Sequence, residues 1–116
     1  MPPRKLLHYL RSYRKIVGLS QEELARLLGC QYGTKVSRYE QFQRSPALVT
    51  AIAYEIIFQA PLKSMFAGLY SQVEERVRRQ ARSLLAEVER RAAPRQGTLR
   101  VLRALAESEK QRTRRV

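Results

Sequence analysis

Aspartate and tryptophan do not occur in this sequence, and cysteine and histidine occur once each, as Cys30 and His8. A single cysteine excludes an intramolecular disulfide, and neither Cys30 nor His8 has metal-ligand spacing around it. With no aspartate, and with His8 set among apolar residues on a helix, no acid–base or nucleophilic constellation can be assembled. The five glycines form no phosphate-cradling loop, and Glu22-Glu23 and Glu74-Glu75 read as helix-surface residues rather than a pair in an apolar cleft. No enzymatic activity, metal or cofactor is therefore expected. Long apolar runs are missing too. Nothing approaches the roughly 18 uninterrupted apolar residues of a membrane span, and MPPRKLLHYL lacks the apolar run of a secretory signal. A cytoplasmic protein with no membrane partner is expected.

What the chain has in excess is positive charge. Twenty-three basic residues stand against 10 acidic ones, a formal charge of +13. Charge of this sign and size calls for a polyanionic partner, nucleic acid ahead of an acidic membrane surface. A hydrophobic fraction of 44% in 116 residues, with few aromatics, suits one compact all-α domain with a core of Leu, Ile, Val and Ala, plus an extension.

The organising stretch is Leu19 to Glu40, LSQEELARLLGCQYGTKVSRYE. Ser20 and Glu23 have capping-box spacing at the start of a helix over 21–28. Leu24, Ala25, Leu27 and Leu28 give it one apolar face, and Gly29 stands where the chain must turn. A second helix follows over 34–40. Val36 and Tyr39 point back at the first, leaving Thr34, Lys35, Ser37 and Arg38 on the outer side. A short positive helix braced by a partner suits the major groove of DNA.

SQEELARLLG followed by VSRYE resembles the helix-turn-helix of lambda repressor and Cro-like (Xre family) transcriptional regulators, over roughly residues 1–70. The resemblance implies a five-helix DNA-binding domain. It places a phosphate-contacting Gln at Gln21, a small residue at the helix crossing at Ala25, the turn glycine at Gly29 and an apolar anchor at Val36. It also implies an ion pair between Arg14 and Glu40. Between Gly29 and Val36 the chain has one residue more than the family pattern, which either lengthens the turn or extends the start of the second helix.

Arg38, Lys35 and Thr34 are the leading candidates for base contact, Arg38 through a two-pronged bond to guanine. Gln31 and Tyr32 come second. The alternatives are a face that holds phosphate alone for Lys35 and Arg38, and packing beside the turn for Tyr32. Gln21, Ser37, Arg44 and Arg14 are the phosphate candidates, Arg14 having the ion pair as its other use.

Around this motif, a first helix is expected over 4–17, with Leu6, Leu7, Leu10, Tyr13 or Arg14, and Val17 at spacings of three and four. A fourth begins at Pro46 behind Ser45 as cap and runs to Phe58 or Gln59, apolar nearly all round and so centrally buried. A fifth spans 61–70 with Leu62, Met65, Phe66 and Leu69 inward. Residues 71–109 form a helical extension, one helix ending near Arg91 and another running from Leu99 to about Glu109 behind Thr98 as cap. Residues 110–116 form a basic tail, expected to be disordered. The extension's apolar stripe is Val73, Val77, Leu84, Leu85 and Val88, then Leu99, Leu102 and Leu105. Its arginines, Arg78 among them, crowd the other faces. It either completes the core of the domain, pairs with a second subunit or a protein partner, or serves as a nucleic-acid arm.

The expectation is a sequence-specific regulator of transcription, a repressor bound as a homodimer to an inverted repeat in double-stranded DNA. Its rivals are an antitoxin-type autoregulator with a protein partner, and a basic RNA-binding or architectural adaptor.

Overall fold

The computed structural model describes residues 6–107, and these are all-helical. The helices are α1 (Leu10–Val17), α2 (Gln21–Leu27), α3 (Thr34–Glu40), α4 (Leu48–Phe58), α5 (Leu62–Met65), α6 (Ala67–Glu89) and α7 (Gln96–Ala106). The chain divides into two compact units, Met1–Tyr70 and Ser71–Val116. The expected basic tail, 110–116, lies outside the described residues.

The core of the first unit is Leu10, Leu24, Ala25, Val36, Tyr39, Tyr54, Met65 and Phe66. The helices α1 to α5 and the turn into α6 each supply at least one of these side chains. Aromatic edges meet inside it, with Tyr54 against Tyr39 at 6.4 Å and against Phe58 at 5.9 Å.

The first helix starts later than its apolar spacing predicts, at Leu10 and not at 4, and of Leu6, Leu7, Leu10 and Val17 only Leu10 is buried. The backbone of residues 6–9 is engaged elsewhere. The Leu6 and Leu7 carbonyls accept from the Gly68 and Leu69 N–H groups at 3.0 and 3.1 Å, and Tyr9 N–H donates to the Met65 carbonyl at 2.8 Å. Those carbonyls satisfy the orphan donors in the first turn of α6, so helix and segment finish each other's hydrogen bonding. The approach requires glycine: a Cβ on Gly68 would lie 2.1 Å from the Leu6 carbonyl oxygen and 3.0 Å from the Leu7 Cα. Backbone cannot step aside cheaply. Gly68→Ala is expected to destabilise the protein by about 1–2 kcal/mol, read as a lowered urea midpoint with an unchanged slope.

Three other expectations are corrected here. Ser45 does not cap α4, whose N-cap is Ala47. The expected helix over 61–70 breaks at Phe66, and the long helix begins at Ala67. Most consequentially, α4 is not a buried central helix. Tyr54 faces inward with no exposure, but Leu48, Val49, Ile52 and Ile56 are 71%, 80%, 44% and 69% exposed. An all-round apolar sequence identified no buried face, because no periodicity distinguished one.

In the second unit α6 and α7 form a helical hairpin with its own core of Ala81, Val88, Leu99 and Leu102, flanked by Leu85 and Leu105. The expected stripe therefore divides. Val88, Leu99 and Leu102 are consumed within the hairpin, while Val73, Val77 and Leu84 remain exposed. Thr98 is not the cap of α7, which starts at Gln96 behind Arg95, and Gly97 lies inside it. Arg78 is not on an outer face: it is 8% exposed, and its Nη1 donates to the carbonyls of Leu105 and Glu107, both at 2.9 Å. A guanidinium on the last carbonyls of a helix both satisfies orphan acceptors and complements the helix dipole.

Candidate nucleic-acid interface

The start of α2 is fixed by its own residues. Glu23 N–H donates to Ser20 Oγ at 3.0 Å and Ser20 N–H donates to Glu23 Oε1 at 2.9 Å, closing the capping box. The Ser20 hydrogen bonds hold the Glu23 carboxyl below the usual carboxylate range. At its other end Gly29 takes a left-handed φ of +79°, and Cys30 N–H returns to the Ala25 carbonyl at 2.8 Å. This is the glycine-terminated helix end.

The turn then runs to Gly33, and α3 spans Thr34–Glu40. The residues between Gly29 and Thr34 thus belong to the turn, and α3 begins at Thr34. Gly33 N–H donates to Glu22 Oε1 at 3.1 Å, so the first turn of α2 holds the entry to α3. Sequence reasoning treated Glu22 as a surface residue. Nothing local marks a bond to a residue so far along the chain.

Val36, Tyr39 and Glu40 turn α3 inward, all three buried. Thr34, Lys35 and Arg38 share the opposite face and are exposed, with Ser37 half-buried at its flank. Gln31 and Tyr32 are exposed on the turn, Tyr32 at 64%, so packing beside the turn does not account for its ring. Arg44 is exposed beyond the end of α3. The structure thus places Thr34, Lys35 and Arg38 on one exposed face of α3, with Gln31 and Tyr32 exposed on the turn that precedes it.

Beneath this face lies a polar cluster. Arg14 Nε donates to Glu40 Oε2 at 2.6 Å, and Arg14 Nη2 donates to Glu40 Oε1 at 3.0 Å. Arg14 Nη1 donates to the Leu19 carbonyl at 2.9 Å, and Gln21 Nε2 donates to Glu40 Oε1 at 3.1 Å. The cluster joins α1, α2 and α3. Glu40 raises the already high affinity of Arg14 for its proton, chiefly through the hydrogen bond. Each guanidinium nitrogen of Arg14 is engaged and its side chain is 11% exposed, so the ion pair is its use within the fold, with two of its five N–H groups left toward the cleft. Gln21 keeps one amide hydrogen beyond its bond to Glu40.

Arg11, Arg14, Gln21, Glu40 and Gln41 line a cleft of about 170 Å³. Arg11 is exposed there, a cation on the Gln21 side that sequence reasoning passed over. The signal was its place one helical turn before Arg14.

His8 is buried with its ring 4.6 Å from that of Phe42 and 5.6 Å from that of Phe66. Phe42 reaches it from just beyond α3 in a left-handed conformation, φ +61°. Burial lowers the His8 pKa, opposed by a hydrogen bond to the Tyr39 backbone and by Glu40. Folding therefore favours neutral His8. Its contribution is complete above the unfolded value of 6.5 and is lost as pH falls below it toward the folded value. Because His8 is the sole histidine, melting between pH 7 and 5 should show its proton uptake with little interference. Stability is expected to fall by no more than about 1.4 kcal/mol per pH unit, and His8→Leu should remove that slope.

No known protein family, curated protein or solved structure matches this chain. Among the described residues no helix is long and apolar enough to cross a membrane.

Proposed function

We propose that this chain is a sequence-specific, double-stranded-DNA-binding transcriptional regulator of the lambda repressor/Cro-like (Xre) type. It is a cytoplasmic, non-enzymatic repressor that acts as a homodimer on an inverted-repeat operator. The observation that carries the reading is the two-sided construction of α3. Its inner side is anchored by Val36, Tyr39 and the Glu40 cluster, while Thr34, Lys35 and Arg38 stand free on the outer side. A helix that reads base edges needs both, an immobile back and a polar front with hydrogen-bond donors near its N-terminus. Lys35 and Arg38 supply charge of the sign DNA requires, within a chain of +13. Gln21, Ser37, Arg44 and Arg11 flank the face as phosphate contacts.

Each subunit inserts α3 into one half-site, the two half-sites lying about 34 Å apart on one side of the duplex. Selection of bound duplexes from a random pool at near-physiological salt tests the reading. Salt is essential, because backbone attraction to a strongly basic chain dominates at low ionic strength. An enriched motif in inverted half-sites is the expected result. Tight binding with no enriched sequence would sink the regulator reading. It would favour a basic RNA-binding or architectural adaptor, for which the exposed Arg76, Arg79 and Arg82 of α6, with Arg90 just beyond it, are the supporting observation.

A further inference from the structure

The outer face of α4 is exposed and has no partner within its unit among the described residues. Leu48, Val49, Ile52 and Ile56 fall on one stripe by helical spacing, directly opposite the buried Tyr54. At 71%, 80%, 44% and 69% exposure they leave roughly 400 Å² of aliphatic surface in water, a patch of the size that marks an interaction site on a monomer.

Charge decides what this patch meets. Residues 45–62 are the longest stretch of the chain without a basic residue, and α4 carries a single ionisable acid, Glu55. Glu55 is engaged within its own subunit, accepting from Leu62 N–H at 3.1 Å. Two copies of a +13 chain repel one another wherever their basic surfaces meet, so the closest approach of two copies falls on the neutral face. Nucleic acid gains nothing there. A different protein would need a charged or polar element to be chosen in preference to a copy, and the stripe offers none. A neutral aliphatic face is self-complementary under two-fold symmetry.

We infer that the Leu48, Val49, Ile52 and Ile56 face of α4 is the docking surface for a second copy of this chain, the two helices crossing at a two-fold axis near Ile52. The inference rests on the homodimer reading above and assigns its contact to α4 and not to the exposed stripe of α6. Two such faces bury roughly 800 Å² in all, below the range of a permanent dimer, so the association is a reversible one.

Sedimentation equilibrium of the full chain without DNA tests this, from about 1 to 100 µM. The wild type is expected to pass from monomer to dimer across that range. Ile52→Lys and Ile52→Glu should each remain monomeric with unchanged helical circular dichroism, because each sets like charges together at the axis. An equimolar mixture of the two should recover the dimer. Val49→Lys, at the most exposed of the four positions, repeats the test should Ile52 variants fail to fold. Val77→Lys, on α6, should leave the dimer intact.

A wild type that stays monomeric at 100 µM overturns the inference. So does a dimer that survives Ile52→Lys or Val49→Lys, dissociates with Val77→Lys, or is not recovered in the mixture. The outcome is separable from that of the regulator reading. An α4 dimer without sequence preference removes the regulator alone, a dimer that survives Ile52→Lys and still selects inverted half-sites removes the α4 contact alone, and a monomer that selects a single half-site removes both the α4 contact and the homodimer.

Discussion

Glu40→Ala is expected to destabilise the first unit by about 3–5 kcal/mol, enough to leave much of a marginally stable chain unfolded at ordinary temperature. The size follows from what is left behind. The Glu40 side chain is 2% exposed and accepts from Arg14 Nε and Nη2 and from Gln21 Nε2. Without it, a guanidinium that is 11% exposed keeps a single bond, to the Leu19 carbonyl. Removing one partner strands a largely buried cation, which costs far more than the pair contributes over an apolar substitute. Double replacement by Arg14→Met and Glu40→Leu should therefore be milder than Glu40→Ala, despite changing more atoms. Urea denaturation of the three proteins checks the order. A double variant as unstable as the single one would show that the hydrogen bonds themselves, and not the stranded charge, carry the energy. Because the cluster anchors the back of α3, the double variant should also bind DNA less tightly than its stability alone predicts.

The division of α3 into two faces was legible in the sequence because it depends on local spacing, whereas the Arg14–Glu40 pair, 26 residues apart, was implied only by the resemblance to the helix-turn-helix family. Ser20 and Glu23 fix where α2 begins, Gly29 fixes where it ends, and Val36 and Tyr39 fix which side of α3 turns inward. Apart from the misplaced caps and the break at Phe66, the misses concern what lies against a face. Leu48 to Phe58 is apolar on every side, so its pattern did not tell which side the core uses. Leu6 to Tyr9 has spacing compatible with helix, yet loses it to the first turn of α6, through the missing Cβ of Gly68. No local pattern reports a contact at that separation. Arg78 differs, because a signal was present. It lies three residues before Ala81 and seven before Leu85, on the buried face of α6, and a charge there reads as a surface residue until its carbonyl partners at the end of α7 are known. The Glu22 bond to Gly33 is another such contact, and it sets the entry of α3.

Arg38→Ala is expected to relax sequence preference at one base position per half-site and to cost about 1–3 kcal/mol on the preferred duplex. Arg38 sits one turn after Thr34 and beside Lys35 on the exposed face, and no carboxylate among the described residues is paired with it. Its guanidinium is therefore available for a two-pronged bond to guanine O6 and N7. Alanine leaves those acceptors facing a gap, so the loss falls on duplexes that carry the guanine and spares those that do not. Lys35→Ala provides the contrast. If Lys35 grips phosphate, its loss weakens all duplexes alike and lowers the slope of log affinity against log salt by about 0.9. Repeating the duplex selection with each variant, with salt titrations on the preferred site, separates the two effects. A flattened position in the Arg38→Ala motif assigns base readout to that residue. A uniform loss with an unchanged motif would make Arg38 a phosphate contact and move base readout to Thr34, Gln31 or Tyr32. These remain exposed at the front of α3 and on the turn that leads into it.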